Sequence, residues 1–227
     1  SIKDLPPDVP LSREQAIQRT CLRSSACHVE RDGIRSFLGR LSYPLHYLDF
    51  ETFNTAVPLF DGVRPYQHVP FQFSLQVVRY QGDPAQHSEF LADGPADPRP
   101  ELAAALREAI GDEGSIIVYN QAFELGVLRE LARAFPEHRA WLEGICGRIV
   151  DLLIPFRSFH YYHPAQGGSA SLKRVLPVLT GLGYDGLAIA NGDDASLVYL
   201  AATFGDMPQE ERQQVRAHLL EYCGLDT

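Results

Sequence analysis

Asp49 and Glu51 stand two apart in LHYLDFET, a segment that is otherwise apolar and reads as a β-strand. Residues two apart on a strand share a face, so both carboxylates point the same way. Two like charges side by side repel, and desolvation makes each harder to ionise. A cation between them removes both costs, which makes the pair a candidate metal site. The plainer reading is a strand end with two acids, and a D-x-E pair arises readily by chance in a chain this rich in acids.

A second carboxylate falls on a face that should be apolar. In VYNQAFELGVL a short strand runs straight into a helix, and Asn120 and Glu124 are four apart on one side of it. That side continues through Val127, Leu128 and Leu131, the buried stripe. Glu124 is therefore expected on the core side of the first turn, at the carboxyl end of the preceding strand, where α/β sheets place their sites. Favourable pairing with the helix N-terminus is the structural alternative.

The last helical pattern, PQEERQQVRAHLLEYCGLDT, repeats the anomaly. Its apolar stripe is Val215, Leu219 and Tyr222, and the next position on it is Asp226. Glu210, Glu211, Gln213, Gln214 and Arg216 lie on other faces and read as solvated. An inward tyrosine and aspartate four apart serve structure poorly and suit catalysis; the alternative is a helix end with Asp226 exposed.

These residues need a scaffold that brings them together. Strands are expected over 45–49, 71–80 and 88–91, then a helix over 101–110 and a buried strand over 115–119. Helix 121–135, a short helix around Trp141, strand 148–150 and a helix opening at Asp151 follow, and the end of the chain is helical. The order predicts an α/β domain with a mixed sheet flanked by helices, spanning 44–227. Residues 1–43 read as a helical lead-in, the tail of a preceding domain or a linker, with a capping-box pattern at Ser12 and Gln15. The chain reads as a piece of something longer, cut close to Asp226.

Composition narrows the function classes. No apolar run approaches the roughly 18–20 residues that span a bilayer, so no membrane role is expected. Four cysteines without a C-x-x-C pair predict reduced, mostly buried thiols in a cytoplasmic protein. A net charge of −9 argues against a protein that holds nucleic acid by phosphate electrostatics alone. It leaves open an enzyme that meets phosphates through metal ions.

Taken together, the order D-x-E on a strand, N-x-x-x-acid opening a helix and Y-x-x-x-D closing a late helix resembles the DEDD superfamily of 3′–5′ exonucleases. Within it the chain is similar to the tyrosine-bearing, DnaQ-like branch of the ribonuclease H fold. Asp151 in IVDLL, Ser171–Leu172–Lys173 and the stretch GDDASLVYLAATFGD extend the likeness over 43–227. The chain looks most like an uncharacterised bacterial family of unknown function that carries L-D-F-E-T, often behind another nuclease-like domain. Two departures stand out. Glu124 occupies a position where most relatives have aspartate, and position 221 is glutamate, which excludes the histidine variant.

The resemblance implies a ribonuclease H-like sheet, two Mg²⁺ or Mn²⁺ ions and hydrolysis of phosphodiester bonds at the 3′ end of single-stranded DNA or RNA. Asp49 would bridge the ions, Glu51 and Asp226 would complete one, and Glu124 would reach the other. Tyr222 would orient the attacking water, since a phenol with a pKa of about 10 is a poor base at neutral pH. Thr52, Phe53 and Asn54 would hold the terminal nucleotide beside Asn120, with Phe53 or Phe123 stacking on a base. The segment PFRSFHYYHPAQGGSASLKR, with Arg157, Lys173 and Arg174 among aromatics, suits a single-strand track or ordinary packing equally. Two other readings stand beside this one: a non-catalytic nucleic-acid or partner-binding module on the same fold, and a hydrolase of very short oligonucleotides.

Overall fold

The computed structural model describes residues 1–227. In chain order it forms α1 (Arg13–Ser24), β1 (His28–Val29), α2 (Arg31–Leu38), β2 (Leu45–Phe53), β3 (Val69–Val78), β4 (Gln86–Leu91), α3 (Arg99–Ala109), β5 (Ser115–Val118) and α4 (Gln121–Ala134). There follow α5 (Arg139–Cys146), β6 (Ile149–Asp151), α6 (Ile154–Arg157), β7 (Tyr161–Tyr162), α7 (Leu172–Thr180), α8 (Gly192–Phe204) and α9 (Gln209–Asp226). The fold is α/β, with a five-stranded mixed sheet in the order β4-β3-β2-β5-β6. β2 pairs antiparallel with β3 and parallel with β5. No helix is long and apolar enough to cross a membrane.

The chain divides into two compact units, Ser1–Leu41 with Asp151–Gly183 and Ser42–Val150 with Tyr184–Thr227. The expected lead-in is thus half of a unit. Its partner segment joins it because β1 pairs with β7, because His160 Nδ1 lies 3.0 Å from Glu30 Oε2, and because Arg13 Nη1 donates to the Ser158 carbonyl at 3.2 Å. The capping box at Ser12 and Gln15 is present. Asp151 does not open a helix as expected. It ends β6, and its Oδ1 accepts a hydrogen bond from the Leu153 N–H two residues on.

The second unit builds one core on each face of the sheet. Leu48, Phe50, Phe73 and Leu75 pack against Leu102 and Leu106 of α3, Val127, Leu128 and Leu131 of α4, and Leu142 and Ile145 of α5. Phe53, Val69 and Phe71 pack on the other side against Ala195 and Tyr199 of α8 and Leu219 and Tyr222 of α9. Period-two alternation explains β2: even positions face α3–α5, and odd positions, including Asp49 and Glu51, face α8 and α9. β3 contributes to both cores at odd positions, which alternation alone forbids. The register shift between Glu51 and Thr52 is the cause, since Glu51 pairs with Gln72 and Thr52 with Pro70. Phe71 is the extra residue of a bulge, and bulges re-aim side chains in this way.

Gly114 fixes the entry to β5. Its φ is +84°, and a Cβ there would lie 1.9 Å from the Pro44 carbonyl oxygen. Only glycine tolerates both the conformation and the approach.

Candidate metal centre

β2 and β5 run parallel, so the carboxyl end of β5 emerges beside the acidic half of β2. There the chain turns through Asn120 (φ +80°) and starts α4, whose first turn carries Glu124. Glu124 is 2% exposed, on the same stripe as Val127, Leu128 and Leu131. Across the sheet, α9 is held down by two sets of bonds. Gln72 Nε2 donates to the Leu219 carbonyl at 2.9 Å, and Arg216 donates to the carbonyls of Ala92 and Leu91 at 2.6 and 3.2 Å. Arg216, expected in solvent, is therefore a docking residue. The result lays Tyr222, Cys223 and Asp226 over β2.

Asp49, Glu51 and Cys223 offer ligand atoms that all lie within 4.8 Å of one another. Cys223 Sγ is 3.7 Å from Asp49 Oδ2 and donates to it. The Asp49 carboxyl is pushed well above the usual range by burial and then by the charges of Glu51, Asp226 and Glu124 in that order; the Cys223 bond opposes the shift only in part. Four acids from β2, α4 and α9 thus act on one another. Asp226 sits in the last turn of α9, the end where the helix dipole disfavours a carboxylate. Tyr184 Oη donates to Asp226 Oδ1.

The hydroxyl-bearing residues stay protonated. Burial, then Asp226, Glu51 and Asp49, drive the Tyr222 phenol far above its ordinary value, and burial with the Asp226 bond does the same to Tyr184. Burial and the neighbouring carboxylates also hold Cys223 as a thiol. Each is a hydrogen-bond donor there, not a base.

Glu51 also borders a cavity of about 360 Å³, whose walls include Thr52, Asn54, Phe123, Asp193 and Ser196. Its far side is the start of α8. A Cβ on Gly192 would sit 3.6 Å from Glu51 Oε2, so the helix backbone approaches this carboxylate closely and brings its positive end toward it.

The expected site residues separate into three groups. Asp49, Glu51, Glu124, Tyr222 and Asp226 come together. Thr52, Asn54 and Phe123 border the adjoining cavity, and Asn120 is exposed at the head of α4. Phe53 does not join them, and Lys173 belongs to the other unit. Phe53, expected to stack on a base, is 1% exposed and stacks on Tyr199 with centroids 5.7 Å apart. The alternation that presents Asp49 and Glu51 carries Phe53 into the same core layer. Lys173 is exposed in the first turn of α7, in the other unit. Of its aromatic neighbours, Tyr162 is buried and stacked on Phe159, so that segment is in part ordinary packing. Sequence reasoning missed Tyr184, His68 and Cys223. Cys223 was within reach, because it stands three residues before Asp226 and shares its face.

Comparison with known proteins places the chain. The model of a domain of unknown function, DUF2779, matches residues 46–171, more than half of the chain. The chain belongs to the DUF2779 family. The DUF2779 match includes Asp49, Glu51 and Glu124, while Tyr222, Cys223 and Asp226 lie beyond it. Two relatives are "Uncharacterized protein MG366" of Mycoplasma genitalium, 24% identical over 198 residues, and its homolog in Mycoplasma pneumoniae, 27% identical over 199. Each alignment covers 79% of this DUF2779 chain and 30% of the relative, so the chain spans under a third of the length of either. No solved structure matches it.

The donor set fits a hard divalent cation. Carboxylate oxygens dominate it, as Mg²⁺ and Mn²⁺ require, and the lone sulfur is a protonated thiol and a weak ligand. Asp49 and Glu51 are the carboxylates close enough to share one ion, and Glu124 and Asp226 lie near enough to act on Asp49 through their charge.

Proposed function

We propose that this DUF2779 chain is a metal-dependent 3′–5′ exonuclease acting on single-stranded DNA or RNA, on a ribonuclease H-like fold. The observation that carries the reading is the convergence of three further carboxylates, Glu51, Asp226 and Glu124, on Asp49, which together with burial push its carboxyl above the usual range. A binding module has no use for such an arrangement, since each acid destabilises the others. Bound Mg²⁺ or Mn²⁺ would neutralise them and supply an activated water together with charge stabilisation at the leaving 3′-oxygen.

The chain's own residues divide the remaining work. Asp49 and Glu51, fixed by the β2 ladder, define where the scissile phosphate sits. Tyr222, protonated and beside three of the acids, donates a hydrogen bond that orients a water; it removes no proton. Tyr184 fixes the Asp226 carboxylate through its own hydroxyl. The cavity beside Glu51 takes the terminal nucleotide, with Thr52 and Asn54 on one wall and Phe123 on another.

The test is incubation with 5′-labelled single-stranded DNA and RNA in Mn²⁺, Mg²⁺ or EDTA, beside Asp49→Ala. A metal-dependent ladder shortening from the 3′ end, lost in the variant, supports the reading and identifies the preferred strand. Full-length substrate in every lane, with no calorimetric metal binding, removes the catalytic reading and leaves a binding module.

A further inference from the structure

Behind the cavity at Glu51 lies a second one, of about 500 Å³, within the 300–1,000 Å³ typical of small-ligand sites. The two share a wall made by His68 and Phe123, whose rings meet edge to face with centroids 5.5 Å apart. His68 Nδ1 lies 2.8 Å from Thr52 Oγ1, which ties this partition to the strand that carries Glu51.

The outer cavity is built to present a flat aromatic surface. Tyr66 is 69% exposed, yet its backbone is held at φ +58°, a region bulky residues rarely adopt. Three bonds hold the turn: Tyr66 N–H to the Thr55 carbonyl at 2.9 Å, Arg64 N–H to Gln67 Oε1 at 3.1 Å, and Gln67 N–H to the Arg64 carbonyl at 3.1 Å. A large ring kept in solvent by a strained backbone serves no core, and such strain concentrates at functional sites. Opposite it, Gly126 leaves the α4 face without a side chain, and a Cβ there would meet nothing within 4 Å. Arg64, paired with Glu130 at 2.9 Å, supplies a cation at the rim of an otherwise acidic protein.

We propose that the outer cavity is a second base subsite. It receives the penultimate nucleobase of a single strand whose terminal nucleotide occupies the cavity at Glu51, with Tyr66 as the stacking surface, Phe123 and His68 as the divider and Arg64 toward the connecting phosphate. This rests on the exonuclease reading of the carboxylate centre. An aromatic surface accepts any base, so the subsite selects unpaired strands of at least two nucleotides and not a sequence.

The test uses a single-stranded hexanucleotide with the fluorescent base 2-aminopurine at the penultimate or the fourth position from the 3′ end, bound to the full chain in Ca²⁺. Anisotropy reads binding and intensity reads stacking. The penultimate probe is quenched on binding, the fourth-position probe less so. Tyr66→Asn, which suits the left-handed turn but lacks a ring, abolishes the quench and weakens binding at least 5-fold; Tyr66→Phe restores both. A bound hexanucleotide whose penultimate probe stays as bright as free overturns the subsite and leaves the exonuclease reading standing. Absence of any binding together with absence of metal-dependent cleavage overturns both.

Discussion

The thiol of Cys223 meets the carboxylate of Asp49 across 3.7 Å, joining residues 174 positions apart in the chain. It is a fully buried donor, and it is the one contact that lowers the proton affinity of an acid raised by everything else around it. Cys223→Ala removes that donor and leaves a small void. It should destabilise the protein by about 1–2 kcal/mol in EDTA, read from urea unfolding. An unchanged midpoint would show that the thiol contributes nothing to holding Asp49.

Asp49→Asn should act in two directions at once. Removing a charge from a repelling cluster raises the stability of the metal-free protein, by about 1–2 kcal/mol. The same change removes a metal ligand. Wild type should therefore gain several degrees in melting temperature with Mn²⁺, while the variant, more stable at the outset, gains nothing. Scanning calorimetry with and without EDTA checks both halves; a variant less stable than wild type in EDTA contradicts the first.

Much of this was legible in the sequence, and the reasons are local. Asp49, Glu51, Glu124 and Asp226 were visible because each is a charge on an apolar stripe, and period alone identifies the stripe. β3 was not fully legible. Its two halves serve opposite cores, and the bulge at Phe71 comes from pairing with β2, which no property of β3 announces. Phe53 was misread for a related reason: proximity to D-x-E suggested a substrate contact, whereas strand alternation had already assigned it inward. The pairing of β1 with β7 depends on contacts between distant segments, so the lead-in could not be seen as half of a unit.

His46 gives the fold an acid sensitivity of its own. It is buried in β2, and burial, followed by the charge of Arg148, holds its pKa below the ordinary 6.5. Below that value the unfolded chain takes up a proton that the folded chain resists. Stability is full above about pH 6.5 and falls as pH drops toward the folded value. Asp49 opposes this, since its raised pKa favours the folded state on acidification. The effect of His46 should emerge in Asp49→Asn, as a urea midpoint lower at pH 5.5 than at 7.5. Adding His46→Gln should flatten the difference; a slope that survives it assigns the effect elsewhere.

Gly114→Ala should be among the most damaging single methyl additions in the chain. The new carbon would overlap the Pro44 carbonyl, and the positive φ adds strain, for a loss of about 3 kcal/mol or more. Gly111→Ala, with nothing near its Cβ, is the control and should melt within a degree or two of wild type.

Tyr222→Phe isolates the phenol. If it orients water by donating a hydrogen bond, turnover should fall by roughly 10²-fold with substrate affinity little changed. Equal loss in KM would instead assign Tyr222 to binding.

The docking of α9 has a consequence for the order of events during synthesis. β2 emerges from the ribosome with two of the acids, and α4 follows with a third, but Asp226 is carried by an element translated some 170 residues after Asp49. Closing so long a loop is slow relative to local folding. A nascent chain that has emerged only through α8 therefore displays three mutually repelling carboxylates without the helix that caps them. Cation capture and docking of α9 then converge on one event, so the centre is completed only after the sheet and the helices that precede α9 are already made.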